Sequence, residues 1–599
     1  MHHTIKTYHP LTLPVAAACM LFVVTCSPFA PFAVNDCYFR LYPLALSMAL
    51  VSIALWGISL KHAKKTFRFH LSDWLITLGV ACYLLRYDYS LHLADWKIFY
   101  SVLLWIFWFE ARWIASVCPD IRKIVPTFTS LLCCFLACWG LLQLYGWAKP
   151  GHVHFRITGP FFNPGPYSGY LAMMLPVCLH GLFRSCGWAR YLHLLAVLLT
   201  FSILPAAMSR SAWIALAIGI TWVVCMEKRA WQRLQTCFKN GRMKMWAFVG
   251  IVLGMLVAAG FALFSLKADS AYGRLLIWNN SFHAFAERPL AGYGAGSFPA
   301  VAGNAQAAYF ASGEASALAE RVAGQVEFAF NDYLQLLIEG GILLLAFFLA
   351  WGIVVFRSGK SARSYGYVGA LLAFAVFAFS SYPLQILPFG LAVVAFGAFC
   401  VSAPPPSVVP RTGKSWRTRI LLAGLCIGGI CSVWKLHTLP EVYRQWQVAD
   451  LLWKQSVYDV AAKEYARLFP QLNAHSIFLR RYASALFEDG RTLEACRVLD
   501  REKQISCDPM IWNTQGRYYQ SAGRYAEAEA CFKHALLLAP NRLYPYYLLA
   551  KLYSEEKFFH KDQALKMIRM VLTKPPKVES KAADEMRIEM DSLYNQLNH

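Results

Sequence analysis

Runs of 18 or more apolar residues recur through the first 435 positions of the chain and then stop. A bilayer admits only helices and closed barrels, and a run of about 20 apolar residues is the length of a helix that crosses it. The pattern predicts an all-α protein in two parts, a polytopic membrane body over 1–436 and a soluble helical tail over 440–599. Spans are expected near 10–33, 41–60, 71–87, 98–117, 125–147, 165–184, 191–208, 211–226, 246–265, 333–356, 366–383, 384–401 and 419–436, about thirteen in all. At 57% hydrophobic the 599-residue chain exceeds the roughly 45–50% of a soluble globular protein.

The net charge of +23 would point to nucleic acid in a soluble protein. Here the cations sit in short loops between spans, where they set orientation. With the N-terminus in the cytoplasm, Lys61, Lys64, Lys65 and Arg68 fall inside, as do Arg122, Lys123, Arg184 and Arg190. So do the run from Lys228 to Lys244, then Arg357, Lys360 and Arg363, then Arg411, Lys414, Arg417 and Arg419. Membrane lipids are therefore the expected surroundings, and no nucleic acid is. The same alternation puts 148–164, the Ser209-Arg210 turn, the long loop 267–332 and the tail on the outer face. The 18 cysteines show no metal-ligand spacing, and no metal is expected. Cys133-Cys134 lies inside an apolar run, and most cysteines should face lipid or core as small hydrophobes. The first apolar run is followed by further spans, so it reads as an anchor rather than a cleaved signal.

After Pro509-Met510 the tail reads IWNTQGRYYQSAGRYAEAEACFKHALLLAP. Trp512, Gly516, Tyr519, Ala528, Phe532, Ala535 and Pro540 take seven of the eight signature positions of the tetratricopeptide repeat, with Gln515 in place of leucine. A degenerate copy follows with Tyr546, Leu549, Ala550, Tyr553, Ala564 and Pro576, and weaker ones precede it around Trp446–Pro470 and Leu479–Leu499. About four repeats are enough for a continuous core and a concave surface that takes a protein partner. The plainer alternative is a passive cap.

Three outer-face segments stand out. The first runs from Arg156 through Gly159-Pro-Phe-Phe-Asn163-Pro164, whose Gly and Pro density predicts a structured turn. The second is Ser209-Arg210-Ser211, an arginine held at the membrane surface with almost no loop, which is costly and often functional. The third is the loop of some 65 residues over 267–332, far longer than a connection needs to be. It carries Arg274, Trp278, His283 and Pro289-Leu-Ala-Gly-Tyr-Gly294, and it closes on Glu327, Asn331-Asp332-Tyr-Leu-Gln335 and Glu339-Gly. Apolar spacing around 274–286 predicts a helix lying on the membrane.

In this order and on this side, these elements resemble the O-antigen ligase and O-antigen polymerase superfamily, which includes bacterial protein O-oligosaccharyltransferases. The resemblance covers roughly 150–345. It implies a bacterial inner-membrane enzyme with its repeat domain in the periplasm, which moves a glycan from undecaprenyl-diphosphate to an acceptor hydroxyl without cofactor or metal. It also implies that Arg210 and Arg274, with Arg156 as a third, face the diphosphate, and that Asn163, Trp278, Asn331, Gln335 and Glu339 are motif positions. Many relatives carry histidine just before the Asn-Asp-Tyr-Leu-Gln run, where this chain has Phe330. Glu327, one helical turn upstream, Asp332 or His283 would then serve as general base.

The acceptor is open at this point: lipid A core, or a periplasmic protein, which the repeats favour. A polymerase joining repeat units is the alternative within the superfamily, and a non-catalytic scaffold whose tail binds partners is the alternative outside it. A transporter is disfavoured, because no paired broken helices or repeated halves are visible.

Overall fold

The computed structural model describes residues 37–61, 67–89, 92, 94–117, 121–152, 154–227, 268–402, 415–576 and 580–598. The expected spans 10–33 and 246–265 lie outside the described residues. Among the described residues every regular element is helical. Six helices are long and apolar enough to cross a membrane: Cys37–Lys61, Asp95–Val117, Ile121–Leu144, Arg210–Glu227, Asp332–Ser361, and Ser415–Leu436 with its continuation. Shorter apolar helices at Leu71–Leu85, Trp188–Ile203, Tyr365–Phe379 and Leu387–Val401 pack among them. Pro164–Arg184 is buried along most of its length against four neighbours, and is the centre of the bundle.

Three boundaries depart from the hydropathy pattern. The helix expected over 191–208 ends at Ile203, where Pro205 cannot continue it. The spans expected at 366–383 and 384–401 are Tyr365–Phe379 and Leu387–Val401, leaving 380–386 as a link with one short 3₁₀ turn, Pro383–Gln385. The third is internal: Asp332–Ser361 breaks at Gly341 (φ 69°, ψ −171°), a backbone open only to glycine. A Cβ there would sit 2.2 Å from the Leu290 carbonyl oxygen.

Buried ion pairs brace both ends of Asp95–Val117. Near its C-terminus Arg112 donates to Asp73 Oδ2 at 2.8 Å, and Trp108 donates to Asp73 Oδ1 at 2.8 Å. Near its N-terminus Lys97 Nζ donates to Glu339 Oε1 at 2.6 Å. At 1.5 Å per residue the two pairs stand about 22 Å apart, within the roughly 30 Å hydrocarbon thickness of a bilayer.

The tail is an array of helical hairpins. Leu439–Lys454 pairs with Tyr458–Leu472, Ser476–Glu488 with Thr492–Lys503, Pro509–Ser521 with Tyr525–Leu538, and Leu543–Tyr553 with Lys561–Thr573. Lys581–Asn598 closes the end. The seam depends on Gly516, because a Cβ there would lie 2.4 Å from the Phe532 ring. Gln515 is buried where the repeat pattern has leucine. Its amide donates to the Cys496 carbonyl at 3.0 Å and to Asp500 at 2.8 Å, which ties adjacent hairpins together. The array also packs sideways on the long loop, Tyr525–Leu538 lying against the loop helix Phe298–Ala311.

A candidate active site at the mouth of the bundle

The break at Gly341 gives the site its floor. Helical carbonyls freed beside the break are taken by the loop that precedes it. Tyr293 N–H donates to the Ile338 carbonyl at 2.8 Å, Gly294 N–H to the Glu339 carbonyl at 3.0 Å, and Ile342 N–H to the Pro289 carbonyl at 2.9 Å. The Pro289–Gly294 and Glu339-Gly-Gly341 motifs are thus two halves of one interlock. Below it the Glu339 carboxylate accepts from Lys97, from Tyr83 Oη at 2.6 Å and from Gln335 Nε2 at 3.1 Å. Lys97 and Tyr83 lie in spans that the sequence offers only as apolar runs. Asn331 caps the helix, its Oδ1 accepting from Tyr333 and Leu334 N–H at 3.1 Å each. Asp332 is buried and accepts from Leu384 N–H at 2.8 Å, so its carboxyl serves the 380–386 link rather than opening on the mouth.

The walls come from four segments. The Gly159–Pro164 turn is fixed by Gln143, whose Oε1 accepts from Thr158 N–H at 2.9 Å and Gly159 N–H at 2.8 Å. Asn163 caps the helix that follows, accepting from Gly165 N–H at 2.8 Å. Phe162 then stacks on Tyr382 of the 380–386 link at 6.3 Å. Tyr382 also stacks flat on Phe328 at 4.4 Å and meets Phe330 edge-on at 5.2 Å. On the loop helix Ala268–Glu287, Trp278 Nε1 donates to the Ala329 carbonyl at 2.9 Å. One turn before it, the Arg274 guanidinium lies over the Phe330 ring at 5.4 Å.

Phe330 (φ 49°) on this wall, and Met208 (φ 48°) just before the Ser209-Arg210 turn, both hold left-handed backbone, which costs a bulky residue energy. Phe330 occupies the position where the superfamily resemblance leads one to expect histidine.

Electrostatics link the parts. Burial holds the Arg274 guanidinium below its ordinary pKa, and the charge of Arg210 pushes in the same direction while Tyr382 opposes it. Arg210, 64 residues earlier in the chain, is thus near enough for its charge to act on Arg274. Burial also raises the Glu327 carboxyl. Asp508 adds to the rise, and Arg480 pulls it back. By surface area Glu327 is exposed, and its Oε1 accepts from Gln325 Nε2 at 2.6 Å. Tyr382 is raised by burial and by Glu327, with Arg274 acting against them, so arginine, tyrosine and glutamate form one cluster.

The cluster includes three expected residues, Arg210, Arg274 and Glu327. Residues 324–331 are irregular, so Glu327 is not one helical turn from Phe330 as the spacing implied. His283 lies nine residues beyond Arg274, half a turn round the helix at 3.6 residues per turn, and is exposed away from the cluster. Arg156 is exposed ahead of the Gly159–Pro164 turn, among neither the rings nor the charges of the cluster. Tyr382, Arg480 and Asp508 carry no motif of their own, and only their approach to Glu327 reveals them.

Outward from Arg274 a cleft of about 970 Å³ runs between loop and repeats, lined by Arg274, Phe330, Arg321, Asn541, Arg542 and Lys574 among others. Two of its walls are joined by Lys574 Nζ, 3.5 Å from Glu320.

Comparison with known families places two matches on this frame. Residues 195–349 match the model of the O-antigen ligase family, and residues 509–542 match the tetratricopeptide repeat. The first match takes in Arg210, Arg274, Trp278, Glu327, Asn331, Gln335 and Glu339, but begins after the Gly159–Pro164 turn. A comparison with curated proteins found no match.

Proposed function

Taking as premise a multi-pass membrane protein that carries an O-antigen ligase domain and a tetratricopeptide repeat, we propose that it transfers a glycan from undecaprenyl-diphosphate to an acceptor hydroxyl. The observation that carries this reading is the O-antigen ligase match over residues 195–349, which takes in Arg210 and Arg274, with the Arg274 guanidinium over the Phe330 ring at 5.4 Å on the wall of the cleft. A diphosphate accepts bidentate bonds from guanidinium groups, which suits two arginines in this role.

In the transfer, the acceptor oxygen bonds to the anomeric carbon as the bond from that carbon to the phosphate oxygen breaks. The electron pair leaves with the lipid diphosphate, and Arg210 and Arg274 stabilise the charge that grows there. The hydroxyl proton passes to a base. Glu327 suits that role, because a carboxyl raised above its ordinary range holds a proton more readily near neutral pH. No step requires a metal, since the diphosphate already activates the sugar. The mouth is assigned to the periplasmic face, because the basic loops alternate away from it. The acceptor is a lipid A core or a periplasmic protein, and the repeats offer a surface for a protein partner.

Replacement of the family histidine by Phe330 favours a second reading, a non-catalytic scaffold. One experiment separates the two. R210A and R274A should each accumulate in membranes yet abolish glycan transfer in a deletion strain complemented with the variant. Undiminished transfer in both variants would refute the enzyme reading, and transfer of single units without long polymer would point to a polymerase.

A further inference from the structure

The stretch 321–326 leads directly to Glu327. It contains the end of the short helix Ala317–Val322 and the irregular residues that follow. Buried carbonyls in such a stretch need donors from elsewhere, and the repeat array supplies them. Asn541 Nδ2 donates to the Arg321 carbonyl at 2.8 Å and to the Ala323 carbonyl at 2.7 Å. Cys507 Sγ donates to the Val326 carbonyl at 3.1 Å and accepts from Val326 N–H at 3.2 Å. From the loop side, Gln306 Nε2 bridges the two, donating to Gly324 at 3.0 Å and to Leu538 of the array at 2.6 Å.

The side chains that make these bonds, Cys507, Asn541 and Gln306, are 3%, 6% and 2% exposed, so water does not compete for them. Gly303 closes the seam, since a Cβ there would lie 2.4 Å from Cys507 Cβ. Next to Cys507, Asp508 is held with Glu502 by the Arg480 guanidinium at 2.8 Å each, and the charges of Asp508 and Arg480 act on Glu327, next to Val326, in opposite directions.

We infer that the repeat array completes the mouth in cis: Asn541 and Cys507 are positioning residues that fix the 321–326 backbone leading to Glu327. The array holds this segment of its own chain through the links between its hairpins, Cys507 and Asn541 both lying outside the helices. This rests on the proposed transfer reaction and adds to it the source of the base's placement.

The test uses the purified full chain in detergent, an undecaprenyl-diphosphate oligosaccharide extracted from host cells, and host membrane extract as acceptor. Misplacing a reacting group by about 1 Å costs roughly a hundredfold in rate. N541A should therefore lower kcat by about that factor while KM for the lipid-linked donor stays near its original value.

The pH profile supplies a readout that general weakening would not produce. The charged and titratable groups facing Glu327 are Arg480, Asp508 and Cys507 from the array and Tyr382 from the bundle. A base works deprotonated, so the acid limb follows its pKa. R480Q should move that limb to higher pH, D508N should move it to lower pH, and R480K should return it to the original position. Wild-type kcat in N541A, or limbs that stay put or move together in R480Q and D508N, would overturn the inference. If R274A is inactive while these variants behave as wild type, only the role of the array fails. If R274A is fully active, the proposed transfer fails with it.

Discussion

Replacing Lys97 alone should be among the most damaging single changes in the membrane body. Its side chain is 10% exposed and that of Glu339 is 3% exposed, and they meet at 2.6 Å at the edge of an apolar cavity that Leu75, Trp105 and Phe348 help to line. K97M leaves the Glu339 carboxylate with only Tyr83 and Gln335 as donors, both neutral. Breaking a buried pair from one side costs about 3–5 kcal/mol, because the remaining charge is desolvated without compensation. Removing both charges is far milder. In K97M/E339Q the neutral amide can still accept from Tyr83, and the cost should fall to about 1–2 kcal/mol, that of an imperfectly satisfied buried polar group. The double-mutant cycle should therefore show a coupling of about 2 kcal/mol or more. The measurement is thermal unfolding of the detergent-solubilised full chain, followed by tryptophan fluorescence, for wild type, both single variants and the double. Glu339 also supplies the carbonyl that holds Gly294, so the K97M site should lose transfer activity at temperatures where the repeats remain folded. Additive effects, with the double variant as damaged as the sum of the singles, would refute the reasoning.

G341A forces a Cβ against the Leu290 carbonyl and places alanine in a glycine-only backbone region, so it should cost about 1–3 kcal/mol from conformation alone. It should unlatch the Pro289–Gly294 loop, read as new protease cleavage there in membrane vesicles. E327Q should lower transfer by roughly 10²–10⁴-fold, the usual worth of a general base. Adding F330H to it should restore part of the rate, with an acid limb near the ordinary histidine pKa of about 6.5. An E327Q variant with unchanged rate would remove Glu327 from the chemistry.

Hydropathy located helices well, because the length of an apolar run is a local property that a bilayer makes decisive. It erred where proline and glycine govern, at Pro205, around Pro383 and at Gly341. The repeat pattern was likewise local, and the Gln515 exception is explained only by Asp500 and Cys496 on the neighbouring hairpin. Arg210 and Arg274 stand out in the sequence by motif, and both fall within the family match. Lys97 was not, because its partner lies 242 positions away and one sequence carries no record of such a pairing. Tyr382 was hidden for a related reason: it sits in a link that composition alone merges into two spans. Asn541, Cys507 and Arg480 read as ordinary repeat residues, and only the packing of array on loop gives them a role. His283 shows the opposite failure, a residue of suitable chemistry on the wrong side of its helix.

The seam between Cys507 and Val326, and between Asn541 and the end of the short helix, also bears on how this protein can be recombined. A chimaera that grafts a foreign repeat array after the last span would deliver a folded module and an orphaned loop, since the foreign side chains would not meet the 321–326 carbonyls. The exchangeable cassette is instead discontinuous, the loop over 268–341 together with the hairpins over 476–576. Homologues should therefore tolerate swaps of the two pieces together far better than swaps of either piece alone.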